Sequence, residues 1–169
     1  MKTLFLVRHG QTDWNIGKRI MGQKDVPLNA TGREQAMALK EQIAPISFDI
    51  CYCSPLSRAK ETAEIICSDK CKIICDANLM ERHAGKAEGK VVNDWSKYDG
   101  DTTAESATST LERAQNFLKM IKESEYEKIL IVSHNGFLKN LRHCILNKTG
   151  DVEYGIASFS NCGYEKYEI

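Results

Sequence analysis

What this chain has little of already narrows its function. Its 169 residues set 23 Lys and Arg against 23 Asp and Glu, a formal net charge of zero. No global field therefore draws it to DNA, RNA or an anionic membrane, and any anion site must be built locally. No apolar run reaches the length of a membrane span. The basic-then-apolar pattern of an export signal is missing, and the N-terminus runs straight into strand-like sequence, which predicts a cytoplasmic protein. Proline is scarce, at three, and no low-complexity stretch or internal repeat marks a linker. One domain over residues 1–169 is expected, with enough interior for a core. Cysteine is not scarce, at seven. Yet no Cys-x-x-Cys pair and no Cys/His cluster with zinc-like spacing occurs, so reduced thiols and no metal are expected.

What is present starts with an unbroken apolar run, Leu4 to Val7, which reads as a strand buried on both faces, as in a parallel sheet. It stops abruptly on Arg8-His9-Gly10. Gly10 permits a sharp turn or a close backbone approach. Arg8 and His9 then stand at the carboxyl end of a strand, where open α/β sheets place their ligands. The loop from Trp14 to Asp25 carries Lys18 and Arg19, either solvated charges or contacts to an anion. Thr31 with Glu34 predicts a capping box opening a helix that carries Ala36, Leu39 and Ile43 inward and ends before Pro45.

Phe48 to Cys53 is a second strand, and it runs into Ser54-Pro55, a cap followed by a first helical position. Arg58 falls near the first turn of that helix, where backbone N–H groups and the helix dipole favour an anion. Lys72 to Cys75 is a third strand. The charged, glycine-punctuated segment Leu79 to Gly89 is a loop, in which Glu81 and Glu88 are both candidate proton donors. Val91 to Asp101 reads as irregular. Glu105 to Glu123 predicts a long helix with Leu111, Ala114, Phe117, Leu118 and Ile121 on one face. Lys128 to Ser133 is a fourth strand that also exits on a histidine, Ser133-His134-Asn135-Gly136. A helix through Phe137, Leu138, Leu141 and Ile145 follows, stopping near Lys148 to Gly150, and Ala157 to Ile169 is a last strand or hairpin.

Strands alternating with helices imply an α/β three-layer sandwich: a mostly parallel central sheet, helices on both faces and an antiparallel last strand. Parallel strand ends point one way, so His9, Arg58 and His134 converge on one carboxyl edge. Two arginines and two histidines there make a pocket for a doubly charged anion, most naturally a phosphoryl group.

The residues that carry this pattern resemble the histidine phosphatase superfamily, which includes the cofactor-dependent phosphoglycerate mutases. Leu6-Val7-Arg8-His9-Gly10-Gln11-Thr12 with Trp14-Asn15 is similar to its signature, and Ser54-Pro55-Leu56 with Arg58-Ala59 to its second arginine motif. Leu79, Glu81, Gly85 and Glu88-Gly89 resemble its acid loop, and Ser133-His134 with Gly136 its second histidine motif. The resemblance implies that His9 is the nucleophile that becomes phosphohistidine, its other ring nitrogen oriented by backbone near the turn. Arg8, Arg58 and His134 would hold the phosphoryl oxygens, with Asn15 and Gly22 as further phosphate-binding positions. Glu81 matches the proton donor to the leaving oxygen and then the base for water. No metal or other cofactor is implied, because the two arginines supply the positive charge.

Three positions depart from the family pattern. Ala87 stands where Trp is common, which predicts a wider mouth or a weaker apolar wall. Asn135 stands where Gly is common, and Ala104-Glu105-Ser106 only partly matches a Gly-Glu-Ser helix start. The expected activity is hydrolysis of a small cytosolic phosphomonoester. A phosphoglycerate mutase is the second reading, but Glu81 to Glu105 is short and offers only Arg82, Lys86, Lys90 and Lys97 as basic residues. A catalytically silent phospholigand-binding module is the third. Substrate choice is expected in the loops 16–24 and 82–104; oligomeric state is left open.

Overall fold

The structure is a computed structural model that describes residues 1–91, 93, 97, 100–148 and 158–169, the Asp69 side chain excepted. In chain order the elements are β1 (Thr3–Arg8), α1 (Asp13–Ile16), α2 (Ala30–Ile43), β2 (Ile50–Cys53), α3 (Ser57–Cys67) and β3 (Lys72–Cys75). They continue with α4 (Ala107–Glu123), β4 (Lys128–Ser133), α5 (Asn135–Ile145) and β5 (Tyr164–Glu168). No helix among the described residues is long and apolar enough to cross a membrane.

The apolar runs become a sheet of order β3-β2-β4-β1-β5. β4 pairs in parallel with both β1 and β2, β2 with β3 in parallel, and β5 closes the far edge antiparallel to β1. Alternation along each strand splits the interior in two. Leu4, Leu6, Ile50, Tyr52, Ile129 and Ile131 face Phe117, Ile121, Phe137 and Leu141 of α4 and α5. Phe5, Val7, Cys51, Cys53, Leu130 and Val132 face Ala36, Leu39, Ala59, Ala63 and Ile66 of α2 and α3. Burial on both faces is why these strands carry no polar alternation. Each large side chain so buried contributes about 1.5–3 kcal/mol before its entropy cost.

The expected three-layer α/β sandwich with an antiparallel last strand is therefore present. Several element boundaries differ, β2 starting at Ile50 rather than Phe48 and α4 at Ala107 rather than Glu105 among them. Asn29, not Thr31, caps α2, its side chain accepting from Gly32 N–H at 2.9 Å. α3 begins at Ser57 rather than at Pro55, with Leu56 as its cap residue and no side-chain cap bond. The Ser54 hydroxyl is instead engaged by His134 at 2.8 Å. α1 opens with a capping box that sequence spacing did not single out: Thr12 accepts from Asn15 N–H, and the Asn15 side chain accepts from Thr12 N–H. α5 ends at Ile145 with Leu146 as its cap, just before the stop expected near Lys148 to Gly150, whereas the start of the last strand at Ala157 and part of the irregular stretch after Val91 lie outside the described residues.

Two glycines lock the exit of β1 against the start of α2. A Cβ on Gly10 would sit 2.4 Å from Gly32 O, and one on Gly32 would sit 2.1 Å from Gln11 O. Both obstacles are backbone. Replacing Gly by Ala inside a helix ordinarily stabilises it, by about 1 kcal/mol at exposed sites. Here Gly32→Ala should act in the opposite direction, destabilising the fold by about 1–3 kcal/mol through overpacking. A urea midpoint that rises or stays unchanged would contradict this close approach.

Candidate active site

Strand register delivers the site. Arg8 pairs with Ser133 and Cys53 with Val132, with β4 between β1 and β2. The next residues out, His9, Ser54 and His134, therefore leave the sheet side by side. His9 N–H donates to Ser133 O at 3.0 Å, and Ser54 N–H donates to Val132 O at 3.0 Å. The chain leaving β1 and β2 turns to the α2/α3 face, whereas that leaving β4 turns to the α5 face. A crevice opens where they part, as the general rule for such sheets requires.

His9 is almost fully buried, and its Nδ1 lies 2.7 Å from Gly10 O. A carbonyl can only accept, so Nδ1 carries the proton and Nε2 keeps a lone pair. Burial, then the Arg58 and Arg8 charges, hold the ring well below the ordinary histidine range, so it is neutral. His134 is fully buried, its ring centroid 5.2 Å from that of His9. Burial, then Arg58, again keeps it neutral. Its Nε2 meets Ser54 Oγ, which also accepts from Leu56 N–H at 3.3 Å. The serine hydroxyl can donate to Nε2, and in that tautomer the imidazole proton sits on Nδ1.

Arg58, on the first turn of α3, is fully buried. It donates from Nη1 to Lys24 O at 2.8 Å and from Nη2 to Gly22 O at 2.9 Å. Desolvation pulls the guanidinium down to about 10, opposed by Glu81, so it remains charged at neutral pH. Arg8 donates from Nη1 to Phe159 O at 2.7 Å. Burial lowers its pKa, again opposed by Glu81. Three buried atoms in this group, Arg8 Nε, Arg58 Nε and His134 Nδ1, have no hydrogen-bond partner among the described residues. Such groups are costly unless a ligand satisfies them. The two arginine atoms are donors, as is His134 Nδ1 in that tautomer, so the fitting ligand is an oxyanion.

Glu81 separates from Glu88 at this point. The Glu81 carboxylate sits at the N-terminus of α5, accepting from Arg82 N–H at 2.9 Å and from Gly136 and Phe137 N–H at 3.0 Å. A Cβ on Gly136 would lie 2.5 Å from Glu81 Oε1, so glycine is what admits the carboxylate. Glu88 instead staples loops, accepting from Gln23 N–H at 2.9 Å and Ala84 N–H at 3.1 Å. Gly22 adopts φ of +49°, and a Cβ there would strike Glu88 Oε1 at 2.1 Å.

The crevice encloses about 580 Å³. Arg8, His9, Asn15, Gly22, Arg58, Glu81 and Gly136 are among the residues that line it, whereas the fully buried His134 is not. Thr12 N–H donates to Asn15 Oδ1 at 2.9 Å, which leaves the Asn15 Nδ2 hydrogens for the cavity. The rest of the wall is mixed, with Ile20, Met21, Ala84 and Ala104 beside Arg19, Arg82, His83 and Asp101. Arg19 thus contributes to the cavity, whereas Lys18 is exposed and does not. Ala87 is fully buried and does not line the cavity, so it does not widen the mouth as expected. Asn135 is used: its Oδ1 accepts from Phe159 N–H at 3.0 Å. Glu105 pairs with Arg113 at 2.7 Å, and Ser106 caps α4. Among the described residues no group of three or more His, Cys, Asp or Glu side chains clusters as a metal site.

The histidine phosphatase superfamily (branch 1) profile matches residues 4–169. The uncharacterized phosphatase PhoE of Bacillus subtilis is 37% identical over 148 residues, covering 83% of this chain and 76% of that protein. Phosphoglycerate mutase-like protein 4 of Arabidopsis thaliana is 32% identical over 157 residues, covering 82% of this chain and 68% of that protein. The solved structure of YhfR from Bacillus stearothermophilus superposes with a TM-score of 0.90 at 29% identity, covering 100% of this chain and 92% of that one.

The two neutral imidazoles have a measurable consequence. Below about 6.5 an unfolded chain protonates its histidines, whereas the folded chain holds His9 and His134 unprotonated. Stability is therefore undiminished above that pH and falls as pH drops below it, by up to about 1.4 kcal/mol per pH unit for each imidazole. Urea midpoints between pH 7.5 and 5 should show the fall, and His9→Asn should make it shallower. A slope identical in both proteins would remove His9 from the account.

Proposed function

This chain belongs to the histidine phosphatase superfamily and is a phosphoric monoester hydrolase, and from that premise we propose that His9 is its nucleophile, working on a small phosphorylated metabolite. The observation that carries this is a cavity lined by Arg8, His9, Arg58 and Glu81, beside which Arg8 Nε, Arg58 Nε and His134 Nδ1 are buried with no hydrogen-bond partner among the described residues. We take the chain as one catalytic domain over 1–169; the family match from 4 to 169 and two cores packed on one sheet support this. A cytoplasmic location is our reading as well, supported by seven free thiols.

In the first half-reaction His9 Nε2 attacks phosphorus, and the bond to the leaving oxygen breaks as Glu81 delivers a proton to that oxygen. The N–H donors of Arg8, Arg58 and Asn15, which line the cavity, meet the equatorial oxygens, where charge builds in the transition state; the family resemblance assigns His134, its ring 5.2 Å from that of His9, to the same oxygens. In the second, Glu81 takes a proton from water as its oxygen attacks the phosphohistidine, releasing phosphate and restoring neutral His9. The Gly22 role is indirect in this reading: its carbonyl holds Arg58.

A 580 Å³ cavity is far larger than a phosphoryl group and falls in the range of about 300–1,000 Å³ typical of small-molecule sites. Two further guanidinium groups belong to residues of its wall, each anchored to a carbonyl: Arg19 to Gly89 O at 3.0 Å and Arg82 to Glu105 O at 2.7 Å. Their remaining donors favour a phosphomonoester with a second anionic or hydrogen-bond-accepting group.

The purified protein should release phosphate from an aryl phosphate with no metal added and in the presence of EDTA, and His9→Ala should abolish release. Undiminished activity in His9→Ala would rule the mechanism out. No release from any phosphomonoester, with tight phosphate binding retained, would favour the binding module. Phosphoglycerate interconversion dependent on bisphosphoglycerate would favour the mutase.

Glu81→Gln should slow alkyl esters about 10²-fold or more and aryl esters less, because an aryl leaving group needs less protonation. Equal slowing of both ester classes would count against Glu81 as the acid.

A further inference from the structure

We propose that Asn161 is a positioning residue of the catalytic centre, holding the backbone of His9 and the side-chain amide of Asn15 in one fixed relation. The proposal rests on the reading of His9 as nucleophile. No sequence motif pointed to Asn161, which lies in the turn just before β5.

The contacts are specific. Asn161 Nδ2 donates to His9 O at 3.0 Å and to Asn15 Oδ1 at 3.4 Å. An amide NH2 carries two hydrogens, so it can serve both acceptors at once. The orientation of each amide is fixed by partners that leave no choice. His9 O only accepts, so the Asn161 atom facing it is nitrogen. Asn15 Oδ1 also takes Thr12 N–H at 2.9 Å and Thr12 Oγ at 3.1 Å, so the Asn15 atom facing Asn161 is oxygen. Asn161 thus adds a third donor to an oxygen whose saturation turns the Asn15 NH2 toward the cavity.

The surrounding strap is held by other bonds that a substitution at Asn161 leaves in place. Cys162 N–H donates to Arg8 O at 3.0 Å, and Arg8 N–H donates to Gly163 O at 3.2 Å. Phe159 bridges the Arg8 guanidinium and Asn135. Removing the Asn161 side chain should therefore loosen two reacting groups without unfolding the turn that carries them.

Four full-length variants test this, Asn161→Ala, Asn161→Asp, Asn15→Ala and the Asn161→Ala/Asn15→Ala double variant, assayed with an aryl phosphate and with inorganic phosphate as inhibitor. Asn161→Ala should lower kcat/KM at least tenfold, consistent with the about 10²-fold cost of a 1 Å misplacement. It should also weaken phosphate inhibition and leave the urea midpoint near that of the parent protein. Asn161→Asp should be worse, because a carboxylate sets oxygen against His9 O and Asn15 Oδ1. In the Asn15→Ala background the loss should shrink, since half of what Asn161 holds is already gone. Kinetics within twofold of the parent, a loss fully multiplicative with Asn15→Ala, or unfolding of both single variants would each overturn the proposal and leave Asn161 a structural staple. Failure of the underlying reading looks different: the parent protein would be inactive, or His9→Ala would retain activity, whatever Asn161 does.

Discussion

Uncompensated positive charge is the constraint around which this molecule is built. Arg58 is fully buried and Arg8 partly so, and among the described residues neither makes an ion pair with a carboxylate. Removing such a group from water costs several kcal/mol. The cost is offset by carbonyl oxygens of Gly22, Lys24 and Phe159, which take up three guanidinium hydrogens. Carbonyls supply acceptors without neutralising the charge. A carboxylate pair would have stabilised the empty fold further and left nothing for a dianion.

The histidines follow from the same field. A protonated imidazole between two guanidinium groups, shielded from water, is disfavoured by desolvation and by repulsion alike. Both rings are therefore neutral, and each is pinned through one nitrogen, His9 through Nδ1 to Gly10 O and His134 through Nε2 to Ser54. The acid was placed by a different force. Glu81 is held by backbone N–H groups at the start of α5, where a helix terminus offers unpaired donors. The cavity wall thus carries the Glu81 carboxylate as well as the Arg8 and Arg58 guanidinium groups.

Much of this was legible before any fold. Unbroken apolar runs ending on Arg8-His9 and Ser133-His134 pointed to parallel strands with functional exits, because only strands buried on both faces dispense with polar alternation. What local rules misread, tertiary demands had overridden. Ser54-Pro55 has the form of a helix cap, yet its hydroxyl is taken by a histidine eighty positions later in the chain. Glu81 and Glu88 were indistinguishable as loop carboxylates, since what separates them is which backbone amides surround each. Asn161 gave no signal at all: an asparagine before a glycine-containing turn is common, and its partners His9 and Asn15 lie at the other end of the chain.

Hydrophobic pattern and residue chemistry alone therefore determined the layer architecture, the family resemblance and the set of candidate phosphate-binding groups. Those depend on nearest-neighbour periodicity and on side-chain type, both written locally. Only the tertiary structure decided which nitrogen of each imidazole is engaged, which glutamate faces the cavity and which asparagine reaches the His9 carbonyl. Those depend on hydrogen-bond partners brought together by sheet register, and a register is a relation between distant segments that no single segment contains.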